Sequence, residues 1–108
     1  MSGNISNIKV SVIMNCYNSD MYLVQAIDSV LNQTYSNWEL IFWDNQSTDN
    51  SAKIIKSYND ERIKYFFADS FTKLGEARNL EIKNATGEWL SFLDTDDFWD
   101  KDKIKESI

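Results

Sequence analysis

Ile8 to Cys16 is an apolar, β-rich run in which Val10, Val12, Ile13 and Met14 surround Ser11. A nearly continuous apolar run of this length predicts a strand covered on both faces. Tyr17-Asn18-Ser19-Asp20 interrupts it, and Ser19 or Asp20 is expected to cap a helix. Leu23, Ala26, Ile27, Val30 and Leu31 then recur at helical spacing and form one apolar stripe. After a turn-like stretch, Trp38 to Trp43 reads as a second strand. The polar run Asp44 to Asn50 leads into a helix with Ile54, Ile55 and Tyr58 inward and Lys53 and Lys56 outward. Ile63, Tyr65 and Phe67 alternate with Lys64 in a third strand with one less covered face. Asp69 to Lys73 is expected as a loop and Glu76 to Ala85 as a helix stopped by Thr86-Gly87. Trp89 to Leu93 is the fourth strand, and a last helix is expected from near Asp100.

Strand and helix alternate throughout, which implies an α/β fold with an open, mostly parallel sheet and right-handed crossovers. The units repeat at roughly 25–30 residues, the size of a strand–helix–strand crossover. A strand order of 3-2-1-4 places a ligand crevice at the carboxyl ends of strands one and four, where the order reverses. With 108 residues the chain is at most one domain, and 43% apolar residues supply an ordinary core. A single cysteine excludes an internal disulfide framework, and the absence of histidine excludes a His-dependent triad or a His-ligated metal. The net charge of −6 argues against non-specific binding to nucleic acid or anionic membrane. No apolar run reaches the roughly 18 residues of a spanning helix, and the polar start lacks a signal-peptide core. A cytoplasmic location is the expectation.

The polar clusters fall on one edge of the expected sheet: Tyr17-Asn18 after strand one, Asp44-Asn45 after strand two, Asp94-Thr95-Asp96-Asp97 after strand four. Two carboxylates about 4 Å apart repel by roughly 4 kcal/mol at an effective dielectric near 20. Solvent, a helix N-terminus or a divalent cation relieves that repulsion. Oxygen ligands without His or Cys suit Mg²⁺ or Mn²⁺, and a solvated acidic loop is the plain alternative. Tyr17 is either a stacking platform for a flat base or a half-buried aromatic. Asp44 and Asn45 either meet a ligand or cap the next helix. Arg78 either pairs with phosphate or is a surface helix charge. Cys16, at the end of a buried strand, reads as a packed thiol more than a reactive one, and Trp99 as core or lid packing. Neither G-x-G-x-x-G nor a Gly-Lys-Ser/Thr loop occurs, so phosphates would be met by metal and arginine.

Val10-Ser11-Val12-Ile13-Met14-Asn15-Cys16-Tyr17-Asn18 and Ser29-Val30-Leu31-Asn32-Gln33-Thr34-Tyr35 resemble the opening of family 2 glycosyltransferases of the GT-A fold. So do Trp38 to Asp49, Gly75-Glu76-Ala77-Arg78-Asn79, and Ala85 to Asp97 with its DXD-like Asp94-Thr95-Asp96. The pieces occur in family order from Val10 onward. The resemblance implies a Rossmann-like nucleotide-binding half and a nucleotide-sugar donor, commonly a UDP-sugar, held with Mn²⁺ or Mg²⁺. By similarity Tyr17 stacks on the base, in a nucleotide pocket that also takes in Cys16, Asn18 and Asp44. Asn45 stands where the family usually has an aspartate that accepts the base imide hydrogen, and its amide oxygen retains the acceptor. Arg78 lies near the diphosphate, Asp96 faces ribose or metal, and Asp97 coordinates the metal. Asn15 stands for a frequent proline, Cys16 for a frequent threonine, and Lys101 for a proline that often follows Trp99.

The implied reaction is attack of an acceptor hydroxyl on the donor's anomeric carbon in polysaccharide or glycan synthesis. The family's catalytic base lies downstream of the acidic cluster and is expected beyond Ile108. Residues 1–7 are expected as a flexible segment. Residues 8–108 are expected as the donor-binding part of a GT-A domain that ends before its acceptor half and binds donor alone. An apolar sheet edge exposed there would favour self-association. A non-catalytic nucleotide-binding module, or a Mg²⁺-dependent phosphotransferase using Asp94, are the rival classes.

Overall fold

A computed structural model describes residues 8–70 and 74–108, without the side chains of Leu74, Ala77 and Arg78. The segment 1–7, residues 71–73 of the expected loop and the Arg78 side chain lie outside the described residues. The elements run β1 (Val10–Cys16), α1 (Asp20–Leu31), β2 (Trp38–Asp44), α2 (Ser51–Lys56), β3 (Ile63–Phe67), α3 (Leu74–Asn84), β4 (Trp89–Phe92) and α4 (Lys103–Ser107). The strands form one parallel sheet of order β3-β2-β1-β4, as the alternation predicts.

Because strand side chains alternate, β1 splits into two faces. Val10, Val12, Met14 and Cys16 join Trp38, Leu40 and Phe42 of β2 in the main core. The α1 stripe of Leu23, Ala26, Ile27 and Val30 covers this face with Ile55 of α2 and Ile104 of α4. Tyr65 stacks on Phe42 with ring centroids 5.9 Å apart. Trp99 packs against the same core, half-buried. The opposite face carries Ser11, Ile13 and Asn15 beside Glu39, Ile41 and Trp43. There Leu80 of α3 and Phe66 of β3 pack against Trp43.

Two expectations need correction, the cap of α1 and the start of the last helix. Ser19 is the N-cap of α1 but makes no side-chain cap bond; its hydroxyl donates to the Tyr17 carbonyl instead (3.1 Å). The fourth strand lies at the edge of the sheet, as the order 3-2-1-4 requires, with Trp89, Leu90 and Phe92 43%, 39% and 44% exposed. Among the described residues it pairs only with β1. The last helix starts at Lys103, after a turn over Lys101 and Asp102. Buried Gln33 ties α4 to α1, donating to the Ser29 and Asp100 carbonyls (2.9 and 2.6 Å) and accepting from the Ile104 N–H (2.9 Å).

At the amino ends of the strands, a buried polar relay locks β2, β1 and the turn before β4. The Gly87 N–H donates to Ser11 Oγ (2.8 Å), which donates to Glu39 Oε2 (2.6 Å). The Thr86 N–H donates to the same oxygen (2.7 Å), and Lys9 lies 3.4 Å from Oε1. Gly87 is required here because a Cβ would stand 2.5 Å from Ser11 Oγ and 2.7 Å from the Ser11 nitrogen. Burial pushes the Glu39 carboxyl up, but the bonds from Ser11 and Thr86, with the Lys9 charge, outweigh it and hold it below the ordinary glutamate range. A carboxyl depressed by folding stabilises the fold above its unfolded value of 4.5 and loses that contribution as pH falls through the folded value. Glu39→Gln keeps an oxygen for Ser11 and Thr86 but presents an amide to Lys9. It should cost about 1–3 kcal/mol near neutral pH, with the gap to the parent narrowing from about pH 5 to pH 3. Urea unfolding across that range checks this; parallel curves would contradict it.

Candidate functional site

Parallel pairing places the carboxyl ends of β1, β2 and β4 on one edge. Cys16 is in register with Asp44, and Ile13 with Phe92. The ladder continues past the strands: the Asn45 N–H donates to the Cys16 carbonyl (2.8 Å) and the Leu93 N–H to the Ile13 carbonyl (3.0 Å). Tyr17 and Asn18, Asp44 and Asn45, and the loop from Asp94 to Asp97 therefore leave the sheet side by side.

The first two loops are laced together. Asn18 adopts a left-handed backbone (φ 48°), and its Oδ1 accepts from the Thr48 and Asp49 N–H groups (2.7 and 3.3 Å). Its own N–H donates to Ser47 Oγ (3.0 Å). The starts of α1 and α2 cap each other across the gap. The Asp20 N–H donates to Asp49 Oδ2 (3.1 Å), and the Asn50 N–H donates to Asp20 Oδ2 (3.2 Å). Partial burial raises the Asp49 carboxyl, yet hydrogen bonds from Ser51 and Asp20 leave it below the ordinary range. These bonds satisfy the N–H groups at the entries to α1 and α2.

Asp44 is fully buried, with Oδ2 accepting from Tyr65 Oη (2.7 Å) and Oδ1 from the Ser47 N–H (2.8 Å). Tyr65 titrates well above its ordinary value because burial and the Asp44 carboxylate both disfavour the phenolate. Asn45 is buried, and Cys16 lies in the core with its Sγ 3.8 Å from Ser47 Oγ. Burial pushes that thiol up, so Cys16 is a packed, protonated group.

Tyr17 is half exposed at the rim. Asp94, Asp96 and Asp97 are exposed around buried Thr95, in a turn closed by the Asp97 N–H on the Asp94 carbonyl (3.1 Å). Asp97 Oδ1 accepts from the Phe98 N–H (2.8 Å). Among the described residues, no three acidic or cysteine side chains converge into a ready-made cation cage. Exposed carboxylates without such a cage fit a cation that keeps waters and takes its remaining ligands from a bound phosphate, the habit of Mg²⁺. Arg78 stands in the second turn of α3.

A groove of about 620 Å³ runs along the outer face of α1, bounded by Met21, Val24, Phe98 and Trp99. It reaches the acidic turn only through Phe98, and neither Tyr17, Asn45, Asp96 nor Asp97 lines it. The strand ends converge on the sheet's carboxyl edge, apart from this groove.

The family model for glycosyl transferase family 2 matches residues 11–108. The chain belongs to that family. Its sheet order and alternation are those of the family's GT-A architecture. An uncharacterized Haemophilus influenzae glycosyltransferase is 43% identical over 101 residues, covering 92% of this chain and 40% of its own length. The Escherichia coli enzyme WfgD, a UDP-Glc:α-D-GlcNAc-diphosphoundecaprenol β-1,3-glucosyltransferase, is 39% identical over 99 residues, 92% of this chain and 39% of its own length. Among solved structures, S. aureus TarS in complex with UDP superposes with a TM-score of 0.87 at 31% identity, over 93% of this chain and 31% of that one. A TarS complex with UDP-GlcNAc matches equally well, with a TM-score of 0.87. The chain thus spans about two fifths of the length of these two curated relatives.

The loop lacing was hidden in sequence because its partners lie about 30 positions apart. It gives Asn18 a framework role that the motif reading did not include. Asn18→Gly removes the side-chain bonds while keeping the backbone conformation easy, whereas Asn18→Ala also makes that conformation costly by about 1 kcal/mol. Both variants should melt below the parent, with Asn18→Ala the lower; equal or reversed melting temperatures would contradict the assignment.

Proposed function

We propose that this chain is the donor-binding part of a glycosyltransferase that moves a sugar from a nucleoside diphosphate, with UDP as carrier, to an acceptor hydroxyl in glycan or polysaccharide synthesis. The observation that carries the reading is the single edge shared by Tyr17, Asn45 and the acidic turn, in a sheet that superposes on a UDP-bound relative. WfgD, named for a UDP-glucose donor, supports the same carrier.

In this reading the exposed Tyr17 ring stacks on the uracil. Asn45, pinned through its backbone to β1, offers its amide to the base edge. Asp44 works from beneath: fixed by Tyr65 and Ser47, it holds the turn that carries Asn45. Cys16 and Asn18 form the floor and the brace of the pocket and act without direct polar contact to the nucleotide. Arg78 serves the diphosphate. Asp96 and Asp97 would hold Mn²⁺ or Mg²⁺, which when bound offsets negative charge on the leaving diphosphate. The acceptor hydroxyl then attacks the anomeric carbon as the bond to the diphosphate oxygen breaks. The base for that hydroxyl, and the acceptor site, are assigned to the part of the relatives' length that this chain does not span.

Calorimetric titration of the chain with UDP tests the proposal. Binding should strengthen at least about tenfold when EDTA is replaced by Mn²⁺ or Mg²⁺, a difference near 1.4 kcal/mol. Asp97→Ala should abolish that increment and leave the metal-free affinity. Absence of binding at about millimolar UDP with metal, a dissociation constant range corresponding to only ~4 kcal/mol, would reject the donor site. An unchanged metal dependence in Asp97→Ala would reject the ligand assignment.

A further inference from the structure

The helix α3 is attached to the sheet in an unusual way. Its sequence, Leu-Gly-Glu-Ala-Arg-Asn-Leu-Glu-Ile-Lys-Asn, has no continuous apolar stripe, and Ile82 is exposed. An amphipathic stripe normally fixes such a helix. Among the described side chains, Leu80 packs against the small cluster of Trp43 and Ala68, and Glu81 is fully buried. Glu81 Oε1 accepts from Asn15 Nδ2 at 2.8 Å. A carboxylate removed from water needs such a donor, and the half-buried Asn15 amide supplies it. The neighbouring Trp43 indole N–H has no hydrogen-bond partner among the described residues and adds no polar anchor.

Asn15 lies two residues before Tyr17 on β1, and Glu81 lies one turn after Arg78 on α3. We propose that the Asn15–Glu81 pair is a positioning clamp: it fixes the rotation of α3 over the carboxyl end of β1 and so sets Arg78 for the donor diphosphate. Neither residue touches the nucleotide. The clamp rests on the donor reading above but concerns residues which that reading does not use. Its chemistry is directional. Glutamine at position 81 can still accept from Asn15, alanine cannot, and aspartate at position 15 opposes two carboxylates.

Two readouts test it, UDP affinity with Mg²⁺ and hydrogen exchange of the α3 amides without ligand. Glu81→Gln should bind UDP within about twofold of the parent, whereas Glu81→Ala and Asn15→Asp should each weaken binding about tenfold. The double variant Asn15→Asp with Glu81→Gln lets the new amide donate to the new carboxylate and should recover most of the loss. In an Arg78→Ala background, Glu81→Ala should change the affinity less than about twofold, because the clamp acts through Arg78. The α3 amides should lose protection in Glu81→Ala and regain it in the swapped pair. Undiminished UDP affinity in Glu81→Ala, or losses that multiply with Arg78→Ala, would overturn the clamp and leave the donor site standing. If the parent binds no UDP, the donor reading fails and the role through Arg78 fails with it. Unchanged exchange in Glu81→Ala would independently remove the structural half.

Discussion

The structure depends on β1 being paired on both sides by parallel strands. Burial of Val12, Ile13 and Met14 on the two faces of β1 makes that central position favourable, because each apolar side chain withdrawn from water contributes roughly 1.5–3 kcal/mol. Parallel pairing then leaves no freedom about where loops emerge. The chain must return by a crossover each time, and every strand delivers its carboxyl end to the same edge. Tyr17, Asn45 and the acidic turn meet because of this constraint, not because they attract one another.

The two edges of the sheet are built from different chemistry. At the amino edge, the Gly87–Ser11–Glu39 relay is buried and joined by Thr86 and Lys9. Such a network rigidifies the start of the strands and has little to offer a ligand. At the carboxyl edge, buried groups lie below and exposed ones above. Asp44, Asn45 and Cys16 are enclosed, while Tyr17, Asp96 and Asp97 face solvent. Interlocked loops under exposed aromatic and acidic side chains hold a receptive surface in place, as binding geometry requires.

Much of this was legible in the sequence. Continuous apolar runs marked β1 and β2, helical spacing marked α1, and alternation of elements implied a parallel sheet, whose expected order 3-2-1-4 is the one observed. The family resemblance matched the family that the comparisons establish. What escaped was every feature that depends on distant partners. Ser19 carries a favoured cap residue type, yet Asp49 supplies the bond because α2 starts beside α1. Glu39 and Glu81 sit in the interior against Ser11 and Asn15, and no local pattern distinguishes a buried glutamate from a solvated one. Which positions share the carboxyl edge was legible in the sequence, whereas which of them are buried and which exposed required coordinates.

The central claim is that the carboxyl edge of the sheet is the nucleotide face. Amide chemical-shift mapping by ¹H–¹⁵N NMR, with UDP and diamagnetic Mg²⁺ added to the intact chain, tests it most directly. The account predicts that the largest shifts fall on Tyr17, Asn45, Asp96 and Asp97, while Lys9, Trp38 and Arg62 at the opposite edge stay in place. Shifts centred on Lys9, Trp38 and Arg62, or on the α1 groove around Val24 and Trp99, would contradict it.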